Sequence, residues 1–283
     1  MPLKLMKKIR KKLLNPVLAE LVNTNEQLSV LKVQVEQLEQ NVLITDIQIP
    51  EWAKFYGQFE VPVDEFILNR YFPDFNIKGV FVECGAFDGR TDSSCKFFEE
   101  YMGWTGYNFE PVPWIYEKLC KNRPNSNNYN LAMSNAVTSS TFTVVNHPDL
   151  EWDTGIGSIQ HTEEAKKIWE DANCTFKDIT VSLTTWSEFI KTNQVNYVDL
   201  FVLDVEGHEL SVIEGMRGCP VLPDIMCVEC DKVSISDIKI KLQELGYVYD
   251  TSSFVNAFFI KEEKVPLFNF RQINKRNSNE MLN

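Results

Sequence analysis

From residue 79 onward the chain alternates short, continuous apolar runs with segments of helical spacing, and this alternation constrains the fold more than any other feature. The runs are Val80–Cys84, Thr105–Phe109, Tyr129–Met133, Val198–Leu203, Ile225–Glu229, Tyr247–Tyr249 and Phe254–Ile260. Helical spacing falls at about 91–101, 112–121, 184–191 and 208–216, with a further segment at 234–245. Strands that are apolar throughout need cover on both faces, which a parallel sheet flanked by helices provides. The last two runs are joined only by Asp250-Thr251-Ser252-Ser253. That link is too short for a parallel crossover, so the two form an antiparallel hairpin. The expected fold is therefore α/β, a mostly parallel sheet with an antiparallel C-terminal strand.

Other segments flank or interrupt this body. Residues 1–12 hold six Lys/Arg and no acid, interleaved with Leu3, Leu5, Met6 and Ile9. They read either as a cationic helix on an anionic membrane surface or as a solvated terminus. Asn15-Pro16 is a helix start, Asn as cap and Pro at the first helical position. A heptad pattern follows, with Leu14, Leu21, Leu28, Val35 and Val42 at a and Val17, Thr24, Leu31 and Leu38 at d. It predicts a coiled coil that joins copies of the chain, the alternative being a single amphipathic helix packed on the body. Residues 1–45 thus form a basic start and coiled-coil helix, 46–78 a lead-in with one helical stretch at Asp64–Tyr71, 79–262 the main domain, and 263–283 a polar, mobile tail. Within the domain an insertion at about 138–183 predicts strands at Thr141–Val145 and 178–183 and a helix near 162–170.

Composition narrows the function. Apolar residues make up 44% and charged residues 24%, enough for a sizeable core, and no 18-residue apolar stretch suits a membrane span. The net charge is −12, and the basic start leaves the rest more acidic still. An acidic body disfavours nucleic acid, whose phosphates need Lys and Arg. Seven scattered Cys, including Cys227 and Cys230, read as reduced core thiols of a cytoplasmic protein. The basic start adds a peripheral contact at the inner face of a membrane.

The chemistry lies at strand ends, where ligands of open α/β sheets bind. The first strand ends in Glu83-Cys84-Gly85-Ala86-Phe87-Asp88-Gly89. Glycines permit a tight turn, but a dinucleotide turn would carry G-x-G-x-x-G and place a pyrophosphate on the helix N-terminus. Glu83 and Asp88 repel a pyrophosphate and suit a cationic ligand, so the loop favours S-adenosylmethionine, which has a sulfonium and no phosphate, over NAD. The second strand ends in Glu110-Pro111, 25 residues past Gly85, where an acid can accept ribose hydroxyls. A later strand ends in Asp204-Val205-Glu206-Gly207-His208-Glu209, and its neighbour ends in Glu229. Asp204 with Glu229 suits Mg2+ through oxygen ligands, and a hydrogen-bonded carboxylate pair is the alternative.

These pieces together resemble the FkbM family of methyltransferases. The resemblance rests on Phe81–Gly89, Asn108-Phe109-Glu110-Pro111-Val112-Pro113, Asn130-Leu131-Ala132-Met133-Ser134, Gly157-Ser158, Leu203–Glu209 with Glu214-Gly215, and Val228-Glu229. Tyr56-Gly57-Gln58 ahead of Asp64-Glu65 is similar to the family's lead-in. It implies a Rossmann-like class I methyltransferase fold and S-adenosylmethionine as methyl donor, with O-methylation of a hydroxyl on a sugar, glycan or natural product. The family commonly has Asp where Glu83 stands and Asn-x-Gly where Phe87-Asp88-Gly89 stands. On this reading Glu83, Gly85, Ala86, Phe87, Asp88, Gly89, Glu110, Pro111 and Ala132 hold the cofactor. Asp204 and His208 sit at the acceptor, one as base and the other as its orienter or hydrogen-bond partner, Glu206 and Glu209 position the acceptor or the metal, and Trp152, Asp153, Thr154 and Ser158 contact the acceptor. An acidic crevice, a basic start and a coiled coil suit a lipid-linked or surface glycan as acceptor. Two rivals are a nicotinamide-dependent oxidoreductase of sugar metabolism and a non-catalytic coiled-coil scaffold with a methyltransferase-like body.

Overall fold

The computed structural model describes residues 53–149, 155–159, 161 and 163–269. The expected coiled coil and basic start fall outside these, as do Trp152, Asp153 and Thr154. The lead-in forms helix α1 (Val63–Tyr71). Strands β1 (Val80–Cys84), β2 (Thr105–Phe109) and β3 (Asn127–Tyr129) then alternate with helices α2 (Lys96–Met102) and α3 (Pro113–Asn122). Next come β4 (Ala132–Met133), β5 (Ser139–Asn146), α4 (Glu163–Asp171), β6 (Thr175–Thr184) and α5 (Trp186–Thr192). The chain continues through β7 (Leu200–Leu203), α6 (Glu209–Glu214), β8 (Ile225–Glu229), α7 (Ile235–Gln243), β9 (Tyr247–Ser253) and β10 (Asn256–Lys261).

Seven strands make one sheet in the order β3-β2-β1-β7-β8-β10-β9. Strands β3, β2, β1, β7 and β8 run parallel, while β10 pairs antiparallel with both β8 and β9. Strand order reverses between β1 and β7, the position where such sheets bind ligands. The central strands are buried along almost their whole length, as continuous apolar sequence requires. The run at Tyr129–Met133 divides, Tyr129 ending β3 in the main sheet and Ala132–Met133 joining β6 and β5 in a three-stranded side sheet. Strands β5 and β6 with α4 are the insertion, with both predicted strands and the helix present.

Two expectations need correction. Asp250–Ser253 is not the hairpin link but the second half of β9, and the turn falls at Phe254-Val255. Strand β9 is the sheet edge and half exposed, so polar residues suit it and its sequence mimics a loop. The tail does not begin as a mobile segment, because Phe268 is buried between Tyr71 and Phe72.

The lead-in is part of the core. Asp64, at the start of α1, accepts hydrogen bonds from the Tyr56 and Gly57 amides at 2.7 and 3.0 Å. A side chain at position 57 would collide with the Val63 amide 2.6 Å away, which explains the glycine. Arg70 forms a two-pronged ion pair with Asp250 of β9 at 2.6 and 2.8 Å. Phe72 lies edge-on to Trp104 with centroids 4.8 Å apart. Phe72→Ala is expected to cost about 3–5 kcal/mol of unfolding free energy. Denaturant titration checks this, and a loss below 1 kcal/mol would mean that the lead-in is not integral.

Candidate active site

The loops after β1 and β7 meet where the strand order reverses. Asp204 N–H donates to the Cys84 carbonyl at 3.1 Å. Gly85 has φ +80°, and a Cβ there would sit 1.7 Å from the Asp204 carbonyl oxygen. Only glycine tolerates both conditions. Gly89 is similarly confined, its missing Cβ facing Leu119 and Arg123 on and just after α3. Between them Phe87 takes φ 47°, a left-handed conformation unusual for a bulky residue.

A cavity of about 680 Å3 opens over these loops. Glu83, the first loop from Gly85 to Asp88, Glu110, Pro111 and Ala132 line it, and so do Asp204, Glu206, His208 and Glu229. Most expected site residues are therefore brought together by one crevice. Lead-in residue Gln58 and loop residue Asp92 form part of its wall and are joined by a 3.1 Å hydrogen bond. The insertion supplies Phe142, His147, Ile156 and Trp169.

The acids of the crevice differ in what they touch. Glu83 accepts from Ser93 Oγ at 3.0 and 3.1 Å and from Arg123 Nη1 at 3.2 Å. Arg123 is fully buried and also pairs with Glu99. Burial pushes the Glu83 carboxyl up and the Arg123 guanidinium opposes this. Its charge is thus answered by the protein, so Glu83 fixes the loop to α2 and α3 more directly than it offers a free charge to a ligand. Asp88 accepts from the amides of Arg90 and Thr91 at 2.8 and 2.7 Å, an Asx turn that shapes the loop. Glu110 is buried at the end of β2 and accepts from the Val112 amide at 2.8 Å. Burial pushes it up to about 8, against the hydrogen bonds from the Val112 and Phe87 amides.

Across the crevice, carboxylate oxygens of Asp204, Glu206 and Glu229 lie within 4.8 Å of one another. Asp204 is open to the cavity although it stands on its floor. Asp204 and Glu229 are hydrogen-bonded; burial and the charge of Asp204 push Glu229 up to about 11, while burial raises Asp204 against the opposing hydrogen bond from Glu229. Such a pair holds one proton between two carboxylates. Glu206 is pushed up to about 8 by burial and by Asp204, with Lys232 3.6 Å away on the other side. The pair therefore takes the hydrogen-bonded arrangement. It fits an oxygen-ligating cation only once that proton has left.

His208 is buried at the start of α6, with Nε2 2.9 Å from Ser134 Oγ and Nδ1 unpartnered. Burial lowers its affinity for a proton. Glu209 is not among the residues lining the cavity, and its carboxylate accepts from the amides of Val205 and Gly207 at 3.2 and 3.1 Å. It caps its own loop at a helix start, where a carboxylate is favoured. Ser158 also differs from expectation. It is buried, its Oγ donates to the Glu206 carbonyl at 2.7 Å, and its backbone bridges to Thr143, so it ties the insertion to the acidic loop.

Sequence reasoning missed Arg123, a lone cation in Asn122-Arg123-Pro124 that carries no local signal. It also passed over Ser134 as a partner for His208, although Ser134 closes one of the quoted motifs.

A parallel sheet with an antiparallel strand inserted near one edge, and an acid-rich crevice at its switch point, define a Rossmann-like protein of the methyltransferase type. A family model described as the methyltransferase FkbM domain matches residues 83–249, more than half of the chain. The chain belongs to that family. No curated protein sequence matches it. Solved structures with loose similarity include the METTL16 MTase domain, 9% identical with TM-score 0.41 over 72% of this chain and 68% of that one. A methyltransferase from Pyrococcus furiosus is 14% identical with TM-score 0.37, over 84% of this chain and 98% of its own. The Methanococcus jannaschii fibrillarin pre-rRNA processing protein is 12% identical with TM-score 0.36, over 66% and 68%.

The raised carboxyls make stability depend on pH. The folded protein keeps a proton on Glu110 up to about pH 8, whereas the unfolded chain releases it near the ordinary value of 4.5. The contribution is full below that ordinary value and is lost as pH rises through the folded one. Glu110→Gln is expected to flatten part of the fall in unfolding free energy between pH 5 and 8. Denaturant titrations at both pH values check this, and equal slopes for both proteins would contradict it.

Proposed function

We propose that this protein transfers a methyl group from S-adenosylmethionine to a hydroxyl of a sugar, glycan or natural product. The carrying observation is the convergence of Glu110, Asp204, Glu206 and Glu229 on one cavity whose first loop has no phosphate-binding turn. The cavity volume suits a ligand of nucleoside size plus a small acceptor group. Among the described lining residues the acids outnumber the one lysine, Lys118. That balance favours a cationic donor and disfavours a dinucleotide pyrophosphate, which argues against the nicotinamide reading.

The residues fit the donor. Glu110, protonated up to about pH 8, still has carboxyl lone pairs beyond those used by Val112 and Phe87, enough to accept from ribose hydroxyls, and its proton can donate to one. Gly85, Ala86, Phe87 and Gly89 let backbone approach the ligand, with Pro111 and Ala132 as apolar walls. When bound, S-adenosylmethionine supplies an electrophilic methyl group on a sulfonium.

The chain's own part is to orient the hydroxyl and take its proton. Asp204 is the assigned base. It is open to the cavity, and Glu229, pushed up to about 11, is the member of the pair that keeps the proton and leaves Asp204 as the acceptor. Burial holds His208 neutral, and Ser134 fixes its ring, so it serves as the partner group at the acceptor. Glu206 is placed to accept a hydrogen bond from a neighbouring hydroxyl. Asp204 and Glu229, once deprotonated, would be the residues to hold Mg2+, which would supply Lewis-acid activation of a hydroxyl.

Incubation of the full chain with labelled donor and extracts of glycans and lipids, followed by mass spectrometry, should show label on a hydroxyl. Asp204→Asn is expected to lower kcat at least about 100-fold, and His208→Ala to lower it less. Near-wild-type rates in both would contradict the assignment.

A further inference from the structure

Phe59 and Phe254 stack face to face, with ring centroids 4.4 Å apart and planes 11° from parallel. Both are exposed, at 38% and 59%. Both also have positive φ, 80° and 52°, a conformation that bulky side chains avoid. Single exposed apolar residues are ordinary, but an aromatic pair held outward from two strained turns is not.

The pair does not line the crevice itself but stands next to residues that do. Phe59 directly follows Gln58, which lines the cavity and bonds to Asp92 on the same wall. Phe254 is the turn of the β9–β10 hairpin, and the carbonyl of the next residue, Val255, accepts from Cys230 at 2.8 Å. Asn256, two residues on, is the register partner of Glu229, which also lines the cavity. The stacked rings therefore bridge the lead-in and the carboxyl end of β8, beside the acidic floor. Val61, in the same lead-in, is 46% exposed.

An exposed aromatic pair next to an acidic crevice matches an amphiphile. The floor presents Asp204, Glu206 and Glu229, whose carboxyl groups hydrogen-bond hydroxyls in either protonation state, so it takes a hydroxyl-bearing end. The aromatic faces have no hydrogen-bonding capacity and take hydrocarbon.

We propose that the Phe59–Phe254 pair is an acceptor subsite for the hydrocarbon portion, an alkyl chain or fused apolar ring, of an uncharged amphiphilic alcohol or glycoside. The proposal rests on the methyltransferase reading and names the acceptor class of that site. Because both rings lie at exposed turns, replacing them leaves the sheet and the carboxylates in place.

The test compares n-octyl β-D-glucopyranoside, below its micelle concentration, with methyl β-D-glucopyranoside by calorimetry on the full chain. Burial of the longer chain predicts at least about ten-fold tighter binding of the octyl glycoside to the wild type. Phe59→Ala/Phe254→Ala should shrink that preference to less than about three-fold while leaving the methyl glycoside unchanged. Phe254→Ala alone gives the same reading if the double variant does not fold. No chain-length preference in the wild type, or an undiminished preference in the variant, overturns the proposal. Equal weakening of both glycosides also overturns it, because that is what a clamp between turns would produce. S-adenosylhomocysteine titrated into the same samples reports on the transferase reading separately. Its failure to bind contradicts that reading, while the chain-length comparison still decides the subsite.

Discussion

The site depends on how closely the loops after β1 and β7 approach each other. Gly85 leaves no room for a side chain against the Asp204 carbonyl, and the Asp204 amide is bonded to Cys84. This contact fuses the carboxyl ends of the two central strands at the point where strand order reverses. Every acid assigned to the crevice is placed relative to it: Glu110 one strand away on one side, Glu229 one strand away on the other. Without glycine at 85 the two loops would separate and the carboxylates would no longer face one cavity.

A crevice this acidic is costly to keep in a folded protein, since buried carboxylates prefer to be neutral. The structure manages the charge in two ways. On the β1 side a buried Arg123 joins Glu83 and Glu99 and gives the first loop a rigid footing. On the β7 side Asp204 and Glu229 share a proton, and Glu206 leans toward Lys232. The first arrangement is closed and serves the framework. The second is open to the cavity and leaves proton affinity available for chemistry. On the proposed function, that division separates acids that build the site from acids that would act in it.

Much of this was legible in the sequence. The five parallel strands are continuous apolar runs, and their buried positions leave little alternative to the observed sheet. The acids at the strand ends could be located because strand ends define the crevice. The edge strand β9 was not legible, because Asp250–Ser253 is polar on a half-exposed strand and reads as a loop. Glu209 and Ser158 carried the right residue types for a site, yet their side chains satisfy backbone groups nearby, a choice that depends on local geometry. Arg123 could not have been found from pattern, since its partners lie 24 and 40 residues away in the chain.

The central claim is that the acid-rich crevice selects a sulfonium donor over a phosphate-bearing one. Calorimetric titration of the full chain with S-adenosylmethionine and with NAD tests it most directly. The account predicts saturable binding of S-adenosylmethionine with a Kd on the order of micromolar and no binding of NAD at a hundred-fold higher concentration. Saturable binding of NAD with no response to S-adenosylmethionine would contradict it.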